Sequence, residues 1–352
     1  MRIIKLSGKP TRIGITHGHA LKDEIREMQD YFKNYLYSCM GRIFGRLAYS
    51  FLPFLAKRME KFIPEQYRRE MKGIAMGAEC PYSFILLLNV IDDLLNNLFG
   101  CSGFVFNGER LICGRTLDYP IFTDIMPKLN TLFHYQPENG YPFISLAWPG
   151  YIGAATAMNS HGLALSAFTS PSKDNQRKAT PMNIIYRKAI QYSASLEQLA
   201  ETITQAPRTI GNNVLLVSGK DSLVVEVSAH LWDRRSWEER RDKKFITVTN
   251  HYQTKIMRRL QNPSFPKIMG TAIDPYYCTI NYSLYRDRVL RERIEERKNI
   301  GVQESAEILR SVSNPGTVQG LVFIPEEKKI WLASGTAPVT RGEFNSLNYK
   351  FF

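Results

Sequence analysis

Cysteine is scarce in this 352-residue chain: Cys39, Cys80, Cys101, Cys113 and Cys278, with no CxxC pair. An odd, widely spaced set argues against a disulfide framework, offers no metal-binding spacing and suits a reducing compartment. Long apolar runs are also missing. None reaches the roughly 18 residues that a membrane-crossing helix needs, and Met1 to Pro10 lacks the apolar core of a signal peptide. A cytoplasmic location is therefore expected. Repeats and low-complexity linkers are absent, as are a helix-turn-helix pattern and an aromatic stacking motif, so nucleic acid is not an expected partner. Acidic residues are outnumbered, leaving a formal charge of +13. Such a balance favours anionic lipid or a phosphorylated or carboxylated substrate, although runs such as Asp233 to Lys244 mix both signs and read as solvated faces.

What remains is ordinary globular composition, 44% hydrophobic and 22% charged, long enough for one large domain or two. The pattern changes once along the chain. After a weakly alternating strand at 1–8, the first hundred residues read as helices at 12–38, 40–63, 64–79 and 82–98. Pro53 is expected to bend the second of these. That segment sets Phe44, Leu47, Phe51 and Phe54 among Arg42, Arg46, Lys57 and Arg58. It is either a helical pair packed on the domain or a basic amphipathic surface that touches lipid. Strands follow at 130–136, 142–148, 152–158 and 162–169, then helices at 181–193 and 196–205 with Ser195 as N-cap. Strands return at 213–218, 223–229 and 245–249. Helices at 283–298 and 304–312 precede a final strand pair at 320–325 and 329–334. This order predicts an α+β fold of two packed antiparallel sheets with helices outside.

At the helix-to-strand boundary stands Cys101-Ser102-Gly103-Phe104-Val105-Phe106, then Asn107-Gly108, then Leu111 to Asp118. Two apolar runs around Asn-Gly predict a β-hairpin closed by a type I′ turn, with positive φ in the turn. The hairpin brings Arg115 and Asp118 back beside Cys101. A guanidinium next to a thiol favours the thiolate, which is the nucleophilic form. Cys113, in mid-strand, reads as core. Asn250 follows the strand Phe245 to Thr249, where a side-chain amide can donate to an oxyanion or simply make a turn. His251 reads as structural.

Gly-Cys-Ser followed by Gly-Arg-Thr-Leu-Asp-Tyr resembles the linear-amide branch of the N-terminal-nucleophile (Ntn) hydrolases. That branch includes choloylglycine hydrolases, acid ceramidase, N-acylethanolamine acid amidase and penicillin acyltransferase. The resemblance extends to Thr249-Asn250-His251 and Ser283-Leu284-Tyr285-Arg286-Asp287-Arg288. It implies a four-layer αββα sandwich. It also implies a helical leader (1–100) that self-cleavage releases but that stays associated with a catalytic domain (101–352). Cys101 would be the new N-terminal nucleophile and its α-amine the base, since a free α-amine titrates near ~7.7–8.0. Asp118 would hold that amine and Arg115 would support the thiolate. Asn250 would serve the oxyanion, and Arg286 or Arg288 would match the family's late arginine. Neither a metal nor an organic cofactor is implied.

One departure concerns Thr169. Choloylglycine hydrolases carry an Asn after a Gly-Leu-Ala strand, whereas Gly162-Leu163-Ala164 here leads to Thr169. Bile-salt specificity is thus not expected. Tyr119, Phe122, Trp148 and Tyr151 lie on neighbouring loops and are expected to line an acyl pocket, the alternative being ordinary loop aromatics. The resulting expectation is a self-processing cysteine amidohydrolase acting on a small-molecule N-acyl amide with a lipid-like chain, with an anionic membrane surface as a further partner. Acyl transfer to an amine is the rival within enzymes. A non-maturing membrane-surface or partner-binding protein is the rival outside them.

Overall fold

A computed structural model describes residues 2–95, 100–240, 242–263, 270 and 273–347. Strand β1 (Arg2–Gly8) is followed by four helices: α1 (Pro10–Ala20), α2 (Lys22–Met59), α3 (Glu65–Ala78) and α4 (Tyr82–Leu95). The hairpin is β2 (Gly100–Asn107) and β3 (Leu111–Asp118), followed by α5 (Met126–Leu129), β4 (Thr131–Pro137), β5 (Phe143–Ala147), β6 (Thr156–Asn159) and β7 (Ala164–Thr169). Next come α6 (Met182–Tyr192), α7 (Leu196–Thr204), β8 (Asn212–Val217), β9 (Ser222–Val227), β10 (Trp232–Arg235), β11 (Glu238–Arg240) and β12 (Lys243–Val248). The chain continues with α8 (Lys255–Arg258), α9 (Ile280–Glu295), α10 (Val302–Ser311), β13 (Thr317–Ile324), β14 (Lys329–Ala333) and β15 (Phe344–Ser346).

Two sheets result. One has eight strands in the order β1-β4-β5-β6-β7-β8-β9-β10, and the other seven in the order β11-β12-β2-β3-β13-β14-β15. Every pairing is antiparallel except β1 with β4. Alternation along β2 sets the layers. Cys101 and Val105 enter the core between the sheets, while Phe104 and Phe106 face Leu290 and Ile294 of α9 and Ile308 and Leu309 of α10. Helices α6 and α7 cover the other sheet. The molecule is the expected αββα sandwich, and its fold class is α+β.

The leader segment shares this core. Leu6, Ile13, Met71, Ile85 and Val90 belong to the same buried cluster as the inner faces of both sheets. Glu70 of α3 receives two hydrogen bonds from Arg187 of α6, at 3.2 and 3.0 Å, both side chains being buried. His17 of α1 accepts the Gly150 N–H at 2.9 Å. Asn89 of α4 donates to the Gly150 carbonyl and accepts from the Ile152 N–H. Helices of the leader thus hold the 148–152 loop in place.

Three local expectations are corrected. The hairpin loop is not a two-residue type I′ turn. Asn107 pairs with Leu111, which leaves three residues between the strands, and neither Asn107 nor Gly108 has a positive φ. The helical region 12–63 breaks at Leu21 and kinks at Gly41, whose φ of 74° suits glycine; Pro53 sits within α2. The strand expected at 152–158 begins only at Thr156. The end of the helix expected at 82–98 lies outside the described residues. Ser195 caps α7 as expected, accepting the Gln198 N–H at 3.2 Å.

Helices α1 and α3 approach backbone to backbone through Gly14 and Gly18 on one and Gly73 and Gly77 on the other, each pair spaced by four. A Cβ on Gly14 would lie 2.0 Å from the Glu70 carbonyl oxygen. Gly14→Ala is therefore expected to lower stability by about 1–3 kcal/mol through overpacking, despite alanine's better helix propensity. Urea unfolding measures it; an unchanged midpoint would refute the close approach.

Candidate active site

The site lies where corresponding strand ends of the two sheets meet. Cys101 starts the body of β2, and register places Gly100 opposite Asp118 at the end of β3. A side chain on Gly100 would lie 3.1 Å from the Asp118 carboxylate, so glycine leaves that carboxylate against the Gly100–Cys101 peptide. The Asp118 Oδ1 accepts from the Thr317 hydroxyl at 2.6 Å, and its Oδ2 stands 3.7 Å from Arg286. Burial pushes the Asp118 carboxyl up, against the opposing pull of Arg286 and Thr317.

Arg115 comes from the same strand as Asp118. Its Nη2 is 3.7 Å from the Cys101 sulfur and donates to the Ala167 carbonyl at 2.8 Å, while Nη1 donates to Thr156. The thiol is nonetheless not a thiolate. Burial pushes Cys101 up to about 11, outweighing both Arg115 and Arg286, while Asp118 adds to the rise. Arg115 pulls the thiol toward the thiolate, the direction expected of a guanidinium, but desolvation dominates.

Asn250, just beyond β12, uses both ends of its amide. Its Oδ1 accepts the Cys101 N–H at 2.8 Å, and its Nδ2 donates to the Thr169 carbonyl at 2.8 Å and reaches the Thr169 hydroxyl at 3.3 Å. In this arrangement Asn250 grips the Cys101 nitrogen and bridges it to the opposite sheet. Thr169 lies in the cavity of Cys101, and so does its cross-strand partner Asn212. An amide is therefore present one strand away from the position where the resemblance expected it.

Of the two late arginines, Arg286 faces the site. It donates to the Cys101 carbonyl, to the Ser102 hydroxyl at 2.7 Å and to the Asn250 Oδ1 at 2.7 Å. Arg288 is corrected out of the site. Two positions along a helix point to opposite sides, and its side chain is 68% exposed beside Glu292. His251 is buried and held down to about 4 mainly by desolvation, hydrogen-bonding through Nδ1 with Ser283 and Thr249. It is a neutral structural ring. Ser283 also accepts the Asn250 N–H at 2.8 Å. Sequence reasoning missed Thr317, Thr156 and Ser283 as supports; only Ser283 carried a signal, being the first residue of the late arginine motif.

Tyr119, Phe122, Trp148 and Tyr151 all line one apolar cavity of about 340 Å³, whose other wall is α2, including Phe32, Leu36 and Leu52. Trp148 and Tyr151, with Asp92 of α4, also line the smaller cavity that contains Cys101. These three side chains therefore separate an apolar chamber from the thiol.

Residues 105–284 match the family described as acyl-coenzyme A:6-aminopenicillanic acid acyl-transferase. That is just over half of the chain, and the chain belongs to this family, within the Ntn linear-amide group. The match includes Arg115, Asp118, Asn250 and Ser283; it begins after Cys101 and ends before Arg286. Among curated relatives, the chain is 24% identical over 235 residues to the acyl-coenzyme A:6-aminopenicillanic-acid-acyltransferase 40 kDa form of Emericella nidulans, covering 64% of this chain and 63% of that one. It is 28% identical over 119 residues to the N-acylethanolamine-hydrolyzing acid amidase of Cavia porcellus, covering 32% and 31%. A solved N-acylethanolamine-hydrolyzing acid amidase ortholog from Caenorhabditis elegans has a TM-score of 0.48 at 15% identity, over 70% of this chain and 100% of that one. The chain spans about half the length of the first curated relatives it matches. Its homologues are thus acyl-amide hydrolases and acyltransferases.

The raised thiol makes a pH prediction. In protein that runs as one chain, roughly one Cys101 in a thousand is thiolate at pH 8. Alkylation of Cys101, followed by peptide mass spectrometry, should rise about tenfold per pH unit between 7 and 10. A plateau already reached at pH 8 would contradict the raised value.

Proposed function

We propose that this protein is a self-processing cysteine amidohydrolase that acts on linear N-acyl amides. The observation that carries the reading is the convergence on one peptide bond. Around Gly100–Cys101 stand a thiol, two guanidiniums, a carboxylate and an amide, all buried and nearly all mutually hydrogen-bonded. In self-cleavage the thiol attacks the Gly100 carbonyl. The C–N bond breaks, the nitrogen takes the thiol proton and a thioester forms. Water then opens the thioester to the Gly100 carboxylate and a free thiol.

The product solves the problem that burial poses. A neutral thiol needs a base within reach, and the newly made α-amine is one atom chain away. Asn250 Oδ1 and Asp118 hold that amine. The amine takes the thiol proton as sulfur attacks the substrate carbonyl, then hands it to the leaving amine; water releases the acyl group. The leader, residues 1–100, stays docked through the Glu70–Arg187 pair, β1 and the shared core. Arg286 positions the Cys101 carbonyl, and Arg115 supports the sulfur.

A lipid-like acyl chain suits the apolar chamber. Ile43, Phe44, Leu47, Phe51 and Phe54 on the second half of α2 are 55–76% exposed, and Phe51 also lines the chamber. Basic residues Arg42, Arg46, Lys57 and Arg58 flank this stripe, which fits an anionic lipid surface as the place from which substrate is drawn. Among the described residues no helix is long and apolar enough to cross a membrane. The description of the family as an acyl-transferase favours a second reading, in which an amine takes the acyl group instead of water. Product analysis with added amine acceptors separates the two.

Intact mass of purified protein should show a fragment beginning at Cys101, and Cys101→Ala should remain whole; active protein that is still one chain would overturn self-processing. In the matured form, Asp118→Asn should abolish turnover without altering the melting temperature by more than a few degrees. Asn250→Ala should slow acylation, because the α-amine loses the amide oxygen that holds it in place. Normal kinetics in a folded variant removes that residue from the site. Long-chain N-acyl amides should be cleaved faster than short-chain or penicillin-type amides. Anionic vesicles should bind the protein less as salt rises, because exposed charge is screened over about 8 Å at physiological ionic strength. Equal rates across chain lengths with no vesicle binding at low salt would leave an amidase without lipid preference.

A further inference from the structure

The leader helix α4 places two consecutive carboxyls in the buried interior, and they differ in how they are used. Asp93 accepts the Met182 N–H at 3.0 Å and the Thr209 hydroxyl, both through Oδ1, which fixes the start of α6 and the segment leading into β8; its Oδ2 has no hydrogen-bond partner, and Asp93 reaches only the cavity of Cys101. Asp92 is 96% buried and accepts from Asn183 at 3.1 Å through Oδ2, while its Oδ1 has no hydrogen-bond partner. Asp92 also lines both the apolar chamber and the cavity of Cys101. A buried oxygen with no donor is costly; the Tyr151 and Tyr119 side chains lie beside this carboxyl, and the remaining walls, such as Trp148 and Leu88, are apolar.

We propose that Asp92 is a specificity residue of the amide site: its Oδ1 accepts a hydrogen bond from an O–H or N–H group that the substrate carries within a few bonds of the scissile carbonyl, on the half that occupies the apolar chamber. This rests on the amidohydrolase reading and deepens it. A purely apolar acyl chain would pass Asp92 and leave its oxygen unsatisfied, whereas a chain with a hydroxyl or amine near the carbonyl satisfies it. The discrimination follows from chemistry at the junction rather than from the size of the chamber. Burial and the neighbouring Asp93 push the Asp92 carboxyl well up, against the opposing pull of Asn183 and Tyr151.

The test uses matched long-chain amides that differ in one group near the carbonyl: hydroxyl, amine or methyl. With the full-length protein, kcat/KM for the hydroxyl amide should exceed that for the methyl amide by about tenfold to a hundredfold, the range expected when a built polar contact goes unmade. Asp92→Leu should erase the ratio, raising the methyl amide and lowering the hydroxyl one. Asp92→Asn, which keeps an acceptor oxygen, should retain preference for hydroxyl and lose any for amine. Calorimetric dissociation constants of the matched carboxylic acid products, measured with the matured wild type and with matured Asp92→Leu, repeat the comparison without turnover. A ratio unchanged by Asp92→Leu, in kinetics or in binding, overturns the proposal. Binding that discriminates through Asp92 without cleavage by the wild type supports it and removes the amidohydrolase reading instead.

Discussion

The buried Arg286 guanidinium is the interaction on which the rest of the site depends. A charge with almost no exposure must be surrounded by acceptors, and those acceptors are the Cys101 carbonyl, the Ser102 hydroxyl, the Asn250 amide oxygen and, more distantly, Asp118. Meeting this demand pulls the starts of β2 and α9, the end of β3 and the turn after β12 into one place. Arg115 does the same from the other side, reaching Thr156 and Ala167 of the eight-stranded sheet. Arg286 therefore gathers the strand ends of one sheet, and Arg115 ties that sheet to the other, around a sulfur atom that burial itself keeps neutral. Opposing effects meet at the thiol, and desolvation wins.

The second organising constraint is close approach. Glycines at Gly14, Gly18, Gly73 and Gly77 let α1 and α3 touch through their backbones, which places Glu70 against Arg187 and His17 against the Gly150 N–H. Those contacts, with Asn89, fix the loop that presents Trp148 and Tyr151. The leader is consequently built into the architecture of the site rather than laid over it, and its α4 contributes Asp92 to the cavity of Cys101 itself.

Much of this was legible in the sequence, for identifiable reasons. Two apolar runs around Asn107-Gly108 foretold the hairpin, and a hairpin obliges residues at its open end to meet, which brought Cys101, Arg115 and Asp118 together. The αββα layering followed from the order of strands and helices. The turn type was not legible, because a one-residue change of register turns a two-residue loop into a three-residue one without altering the apolar pattern. Arg286 and Arg288 could not be separated, since both lie in a polar stretch and only helical phase against β2 distinguishes them. Thr317 and Asp92 carried no local signal, because their importance comes from contacts some 200 and 10 residues away along the chain, formed only when the sheets close. The net state of the thiol was not legible, because sequence reveals neighbouring charge but not desolvation.

The apolar chamber has walls from both sides of the Gly100–Cys101 bond, with α2 and α4 on one and the Tyr119–Tyr151 region on the other. Under the self-processing proposed above, opening that bond would turn an intramolecular cavity into an interface between two polypeptides. Its integrity is then governed by mass action: dilution or mild denaturant disfavours the chamber, while a tight chamber ligand holds the two pieces together and raises the temperature at which they part. Recovery after unfolding would cease to be a first-order event of one chain and become a bimolecular encounter. A protein folded once as a monomer would thereafter behave as an obligate heterodimer, whose working form depends on its two pieces never drifting apart.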